Sequence, residues 1–252
     1  MRINKGFNKN FGKWFLTDFI KAVKKYDLIR DQDNICVALS GGKDSVTLLY
    51  ILYCLQNYSY FNFSFSAFHI RLDDHDTDIL RKLCLELDCN YNETDLFFKN
   101  DRSSPNDCYL CSRLRRSVIA DHVKKNQIDK VAYGHNADDA AETFLMNMIQ
   151  HRTLGTFSPK VKFEKKPMTL IRPMIYLDSK TIKAIHKYAG LPLLRIECES
   201  KDQNIRMNYR TLIKRINKNL GIRDFSVRLV QALENPDQKN SWTDLIRKTL
   251  NQ

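Results

Sequence analysis

Acidic residues are in deficit and long apolar runs are missing from this 252-residue sequence. The most apolar stretch, Val46 to Leu55, is interrupted by Thr47 and Tyr50 and falls far short of the ~20 residues a bilayer-spanning helix needs. Met1 to Lys5 is basic but leads into a mixed Phe/Lys/Asp segment, not a secretory apolar core. We therefore expect no membrane association, no secretion, and a cytoplasmic location. No internal repeat or low-complexity block appears. An even cysteine count is also lacking: the seven cysteines come with no sign of an oxidising compartment and read as thiols or metal ligands before disulfides. What is present is ordinary globular composition, 43% hydrophobic and 28% charged, long enough for one large domain or a domain with an appendage. Lys+Arg 41 against Asp+Glu 29 leaves a net charge of +12. That excess suits a phosphate-rich partner, although a generally basic proteome would give the same number.

The hydrophobic pattern alternates strand and helix. Phe11, Trp14, Phe15, Phe19, Val23 and Tyr26 recur at helical spacing. Ile35 to Leu39 is a short apolar run ending in Ser40-Gly41-Gly42, with a helix from Asp44 to about Gln56. Strands are expected at Phe63–Ile70, Tyr91–Leu96 and Lys130–Tyr133, and helices at Thr77–Leu87, Tyr109–Lys125 and Ala137–Gln150. Residues 151–169, with Gly155, Pro159, Pro167 and several lysines, read as a mobile loop. A strand end at Leu170–Pro173, a helix at Ser179–Tyr188 closed by Gly190, and a basic helical tail follow. This is an α/β, doubly wound parallel sheet covered on both faces. We divide it into an N-terminal helical segment (1–30), a nucleotide-binding catalytic domain (31–200) and a basic helical tail (201–252). Ligands in such sheets sit beyond the carboxyl ends of the strands, where the breaks at Gly41 and Gly134 fall.

Ser40-Gly41-Gly42-Lys43-Asp44-Ser45 between a strand and a helix start is a phosphate cradle. Glycines let the backbone approach, helix-opening N–H groups bind oxyanions, Lys43 adds charge, and the Ser40 and Ser45 hydroxyls add donors. It is not a Walker A loop, because Asp44 stands where Ser or Thr would be required. At the second glycine break, Asp138 and Asp139 follow His135. Paired carboxylates beside a triphosphate hold Mg²⁺ or orient the group being activated. A plain helix cap with an acidic first turn is the competing reading.

The SGGKDS hexapeptide resembles the signature of the PP-loop ATP pyrophosphatases, which cleave ATP between the α and β phosphates. Gly134-His135-Asn136-Ala137-Asp138-Asp139 with Glu142-Thr143 is similar to the GHxxDDxxET pattern of the lysidine synthetase and 2-thiocytidine branches of tRNA-modifying enzymes. Together the motifs cover roughly Asn34 to Glu197. The resemblance implies ATP as substrate, tRNA as partner, and adenylation of a carbonyl oxygen followed by displacement of AMP. It implies binding or catalytic work for Lys43, Asp44, Gly134, His135, Asp138 and Asp139, and adenine contact at the end of the second strand, at Phe68-His69-Ile70.

Cys108-Tyr109-Leu110-Cys111 brings two thiolates to one metal, and Cys198 is a third candidate. Three cysteines are one short of a closed zinc site. The thiolating branch holds a [4Fe–4S] cluster with a CxxC here plus one later cysteine, so the resemblance implies Cys108, Cys111 and Cys198 as ligands. It also implies a part in the site for Arg115, four residues after Cys111. A zinc site completed by histidine, and a persulfide-carrying cysteine pair without iron, remain alternatives. Cys36, Cys54, Cys84 and Cys89 read as small core residues. RNA would bind through the basic N-terminal helix, the face carrying Arg113, Arg115 and Arg116 after the CxxC, and the tail, with Arg206, Arg210 and Arg215 on phosphate and exposed aromatics stacking bases. The sequence points to ATP-dependent tRNA 2-thiolation of a cytidine or uridine. The sulfur would come from a cysteine desulfurase or free sulfide, in a chain that works alone or as a homodimer. The Asn- and Arg-rich run Asp202 to Arg210 resembles instead the lysidine branch. Lysidine synthesis, or nucleotide and RNA binding without turnover, are the other readings.

Overall fold

Strand β1 (Asn34–Ala38) alternates Ile35 and Val37 toward one buried layer and Cys36 toward the other, and the sheet is built around it. The computed structural model describes residues 3–5, 9–72, 76–96, 106–163, 168–194 and 201–235; of residues 9–11, 13, 106–109 and 201–204 it describes the backbone. In chain order, α1 (Lys9–Lys25) precedes β1, then come α2 (Lys43–Tyr58), β2 (Ser64–Arg71), α3 (Asp78–Glu86) and β3 (Asn90–Asp95). Next are α4 (Asn106–Lys125), β4 (Lys130–Ala132), α5 (Ala137–Met146), β5 (Lys160–Phe163), β6 (Met168–Ile171), α6 (Ser179–Ala189), α7 (Lys201–Asn219) and α8 (Phe225–Leu233).

The strand order is β3-β2-β1-β4-β6-β5, parallel except for β5, which pairs antiparallel with β6. One face is covered by α1, α2, α3 and α6 through Phe15, Phe19, Leu48, Leu52, Leu80, Leu83, Ile182 and Ile185, with Val230 of α8 in the same core. The other face is covered by α4, whose Ile119 and Val123 meet Cys36, Phe68, Val131 and Met168. A third cluster joins α5 to α7 through Ala141, Leu145, Tyr209 and Ile213. Among the described residues no helix is long and apolar enough to cross a membrane.

One expectation fails. Part of the segment read as a mobile loop, residues 151–169, is β5, an edge strand running Lys160↔Ile171 to Phe163↔Met168. Lys160-Val161-Lys162-Phe163 carries the period-two alternation of a half-exposed strand. Its lysines are what an exposed edge uses against pairing with other chains. The Lys160 ammonium donates to the Asp27 carbonyl at 2.5 Å, tying the edge to the end of α1. The expected helix ending at Gln150 instead closes in a π turn, Asn147–His151.

The chain leaves β1 toward β2 on one side, while β4 lies on its other side. The β1/β4 boundary is therefore the topological switch point, and the crevice beyond its carboxyl ends is where such a sheet binds ligands.

Candidate active site

Both glycine breaks open into that crevice. Gly41 has φ +79°, the left-handed region, and it is hemmed in by the segment after α6: Leu194 N donates to the Gly41 carbonyl at 3.0 Å. A Cβ at Gly41 would lie 2.7 Å from Leu194 Cβ, so only glycine both turns here and accepts this strap. Gly42 is the N-cap of α2 and has no side-chain cap, leaving the first N–H groups of the helix unspent, with the positive end of its dipole, for an oxyanion. Ser45 behaves differently from the sequence expectation. Its hydroxyl donates to the Gly42 carbonyl at 3.0 Å and accepts from Ser40 N at 3.1 Å, so it braces the loop, while Ser40 Oγ, 3.0 Å away, remains exposed. Lys43 and Asp44 form an ion pair, both half-exposed. That contact is between neighbours, and an incoming phosphate can take the lysine over. The loop fits a triphosphate.

Gly134 ends β4 against the start of α2. A Cβ there would sit 2.9 Å from Asp44 C and 2.9 Å from Ser45 N, which are backbone atoms that cannot swing away. Gly134→Ala should therefore push the cradle off its geometry. We expect a stability loss of about 1–3 kcal/mol, typical of overpacking, with weakened ATP binding. A denaturant melt and an ATP titration check both, and unchanged ATP affinity would contradict the contact.

Asn136 caps α5: its Oδ1 accepts from Asp138 N at 2.9 Å and Asp139 N at 3.3 Å, while Asp139 Oδ2 accepts from Asn136 N at 3.0 Å. This is a capping box, so the plain-cap reading is realised in geometry. Asn136 Nδ2 is nonetheless buried without a hydrogen-bond partner among the described residues, an unspent donor at the site. Asp138 is spent as a clamp, accepting from Ser179 N at 2.8 Å and from Ser226 Oγ, and so joins the starts of α5, α6 and α8. Asp139 stands apart. Burial, with added repulsion from Asp44 and Glu142, pushes its carboxyl up to about 6, against the pull of the Asn136 N–H and Arg210. Acids crowded this way are short of a cation, which fits Mg²⁺ between Asp139 and phosphate oxygens. No group of three metal-binding side chains occurs among the described residues, so phosphate and water would complete the shell.

Arg210 has an acidic partner that the sequence reading did not name. Its Nε donates to Glu142 at 2.6 Å and its Nη2 at 3.1 Å, with Nη2 also 4.0 Å from Asp139. It is a counter-ion to the buried Glu142, with half of its side chain still exposed. His69 is fully buried, with its Nδ1 2.7 Å from the Leu39 carbonyl, so this side chain laces β2 to the end of β1. His135 accepts from Arg172 Nε at Nδ1, 3.2 Å away. Burial, then Arg172 and Arg206, holds it down to about 4, so it is neutral at physiological pH with its proton on Nε2.

Helix α4 runs back from the carboxyl end of β3 to the start of β4, so it opens on the same edge as the cradle. Cys108 and Cys111 both lie in it, three residues apart and so on one face. Cys111 is half-buried and free; the Cys108 side chain and all of Cys198 lie outside the described residues. The other cysteines are core: burial pushes the Cys36 and Cys54 thiols up to about 12, and Cys84 and Cys89 are buried. The half-buried Cys111 thiol, on the helix that opens at the ligand edge, is a donor that suits an iron–sulfur cluster. Arg115 follows one turn later, half-buried, with Nε buried and without a hydrogen-bond partner among the described residues. Sequence reasoning missed Arg172, Tyr133 and the Leu194 strap. The Arg-Pro following β6 was the only available signal for the first.

A family model described as a PP-loop domain matches residues 15–216. Two similar proteins are each named tRNA-cytidine(32) 2-sulfurtransferase. The one from Syntrophotalea carbinolica is 31% identical over 205 residues, 78% of this chain and 79% of its own. The one from Dichelobacter nodosus is 32% identical over 201 residues, 77% and 74% of the two chains. Among solved structures, the U34-tRNA thiolase NcsA from Methanococcus maripaludis with its [4Fe-4S] cluster superposes with TM-score 0.69 at 19% identity, covering 92% of this chain and 87% of that one. That likeness is one of fold.

Proposed function

The chain belongs to the PP-loop domain family, and from that premise we propose that it uses ATP to replace the C2 oxygen of a tRNA cytidine with sulfur. Cytidine is the base named in its relatives. The observation that carries the reading is positional: the uncapped start of α2, the Asp139 carboxylate and the CxxC-bearing start of α4 all open on the carboxyl edge of one sheet.

Lys43 and the first N–H groups of α2 hold the triphosphate and take up the charge of the departing pyrophosphate, as positioned donors do in phosphoryl transfer. The C2 oxygen of the base attacks the α-phosphorus, the bond to the bridging oxygen breaks, and pyrophosphate leaves. Hydrosulfide then adds to C2, its proton is lost to solvent, and the oxygen departs with AMP. Asp139, with Asp44 nearby, would hold Mg²⁺, which supplies charge neutralisation on the phosphates. Cys108, Cys111 and Cys198 would hold a [4Fe–4S] cluster, which supplies a place to keep sulfur beside the base. Covalent reach agrees with this assignment. Leu194 touches the cradle, and the four residues from it to Cys198 span at most about 14 Å. Cytoplasmic residence belongs to the same reading, since tRNA is the substrate.

The test is to incubate purified protein, prepared without oxygen, with ATP, Mg²⁺, unmodified tRNA and sulfide. We expect 2-thiocytidine by mass spectrometry, with one AMP and one pyrophosphate per sulfur. Incorporation of lysine in place of sulfur would install the lysidine reading, and absence of AMP would remove the ATP chemistry.

A further inference from the structure

Three arginines lie at the carboxyl edge of β4, and none of them has an acidic partner among the described residues. The β4–β6 ladder continues past Ala132↔Ile171 through Tyr133 N donating to the Ile171 carbonyl at 2.9 Å, which brings Arg172 alongside Tyr133. Gly134 faces the backbone of α2, while Tyr133 packs in the layer that α4 covers. Ile119 of α4 packs in that layer, and Arg115 and Arg116, four and three residues before it, share its side of the helix, where their charge reaches the Tyr133 hydroxyl together with that of Arg172. Arg116 Nε donates to the Ser112 carbonyl of its own helix, at 3.2 Å. Arg172 is held in place: its Nη1 donates to the Ser158 carbonyl at 2.5 Å, and its guanidinium lies 4.6 Å from the centre of the Phe157 ring. The His135 ring is 5.6 Å from Tyr133 and 5.2 Å from Phe157, forming an aromatic wall beside the arginines.

Burial pushes the Arg172 guanidinium down to about 10, and Arg115 Nε lacks a partner among the described residues. Ion pairs among the described residues engage Arg30, Arg71, Arg81, Arg210 and Arg228 but not these three. Half-buried cations without acids are costly unless an anion arrives. The oxygens of ATP are served by the α2 start on the other side of Gly134, and the sulfur centre proposed for Cys108 and Cys111 draws on Arg115 at most, which leaves Arg116 and Arg172 open to a further anion.

Resting on the proposed function, we infer that Arg115, Arg116 and Arg172 form a phosphodiester site for the RNA backbone next to the nucleotide being modified. The Tyr133, His135 and Phe157 wall offers an aromatic surface of the kind on which splayed-out bases stack.

The test uses Arg116→Glu, Arg116→Lys and Arg172→Gln in the full chain, each checked by thermal melt. Bulk unmodified tRNA and, separately, ATP are titrated over a salt series. Arg116→Glu should weaken tRNA binding about tenfold or more and lower the log–log salt slope by about one contact, with ATP affinity within about twofold of wild type on the same principle. Arg116→Lys should restore most of the slope, and Arg172→Gln should behave like Arg116→Glu if it melts normally. Loss of ATP affinity with tRNA binding intact would assign the arginines to the nucleotide and overturn the inference, as would no change in either. Binding is read without turnover. A wild type that makes no 2-thiocytidine, while Arg116→Glu still loses tRNA, would therefore sink the reaction and leave this site standing.

Discussion

Cys111→Ala should reduce sulfur transfer more than about a hundredfold, because loss of even an outer-shell support of a metal site costs 10–100-fold and a ligand is worth more. The other described cysteines cannot stand in. Cys36 and Cys54 are sealed in the core with thiols pushed up to about 12, and Cys84 and Cys89 are buried between α3 and β3. Cys111 is the half-exposed thiol of the described set, on the helix that opens at the ligand edge. Anaerobically purified wild type should be brown and carry iron and sulfide. Cys108→Ala and Cys111→Ala should be colourless, and Cys36→Ala should keep its iron. Pyrophosphate release in the presence of tRNA should fall far less than thiolation, since Lys43 and Asp139 sit on other elements. Retention of full iron and activity by Cys198→Ala would remove the third ligand. A stoichiometric zinc content, or thiolation by an iron-free protein, would replace the cluster with one of its two rivals.

The fold was legible because its periods are unmixed. Ile35 to Leu39, Phe63 to Ile70 and the stretch after Lys130 are short apolar runs between amphipathic helices, and each became a parallel strand. β5 was not legible, because two prolines and a cluster of lysines outweighed its four-residue alternation, and its pairing is set by β6, whose partners lie five to eleven residues further along the chain. The cradle could be read from its glycines, whose special geometry leaves a trace in residue type. The division of labour between Asp138 and Asp139 left none. Both are Asp in one helical turn, and only the approach of Ser179 and Ser226 to one of them separates a clamp from a carboxylate in want of a cation. The Arg210–Glu142 pair left no trace for a related reason: a basic helix face looks alike whether or not one of its arginines is paired to a buried acid.

Asp139→Asn tests that division directly and should lower the ATP-dependent rate by about 10²–10³-fold, the usual scale for removing one positioned electrostatic group. Asn keeps an oxygen that can accept from Asn136 N, so the cap of α5 survives and the fold with it. What goes is the negative charge. The pH dependence has a definite sign. In the folded apo chain the carboxyl is raised to about 6, above its unfolded value near 4, so the native state holds the extra proton between those values. Stability is then lost as pH rises through that window. Asp139→Asn escapes this loss, and its apo form should melt higher than wild type at pH 7, with the gap closing toward pH 4. With Mg²⁺ and ATP bound the order reverses, because the cation favours the ionised form. Wild type should release a proton on binding near pH 6, visible as a buffer-dependent heat, and its rate should fall as pH drops through about 6. A mutant that keeps its rate would show that the carboxylate serves only as a cap. A mutant that loses rate but melts below wild type at pH 7 would show that Asp139 supports the fold rather than the metal.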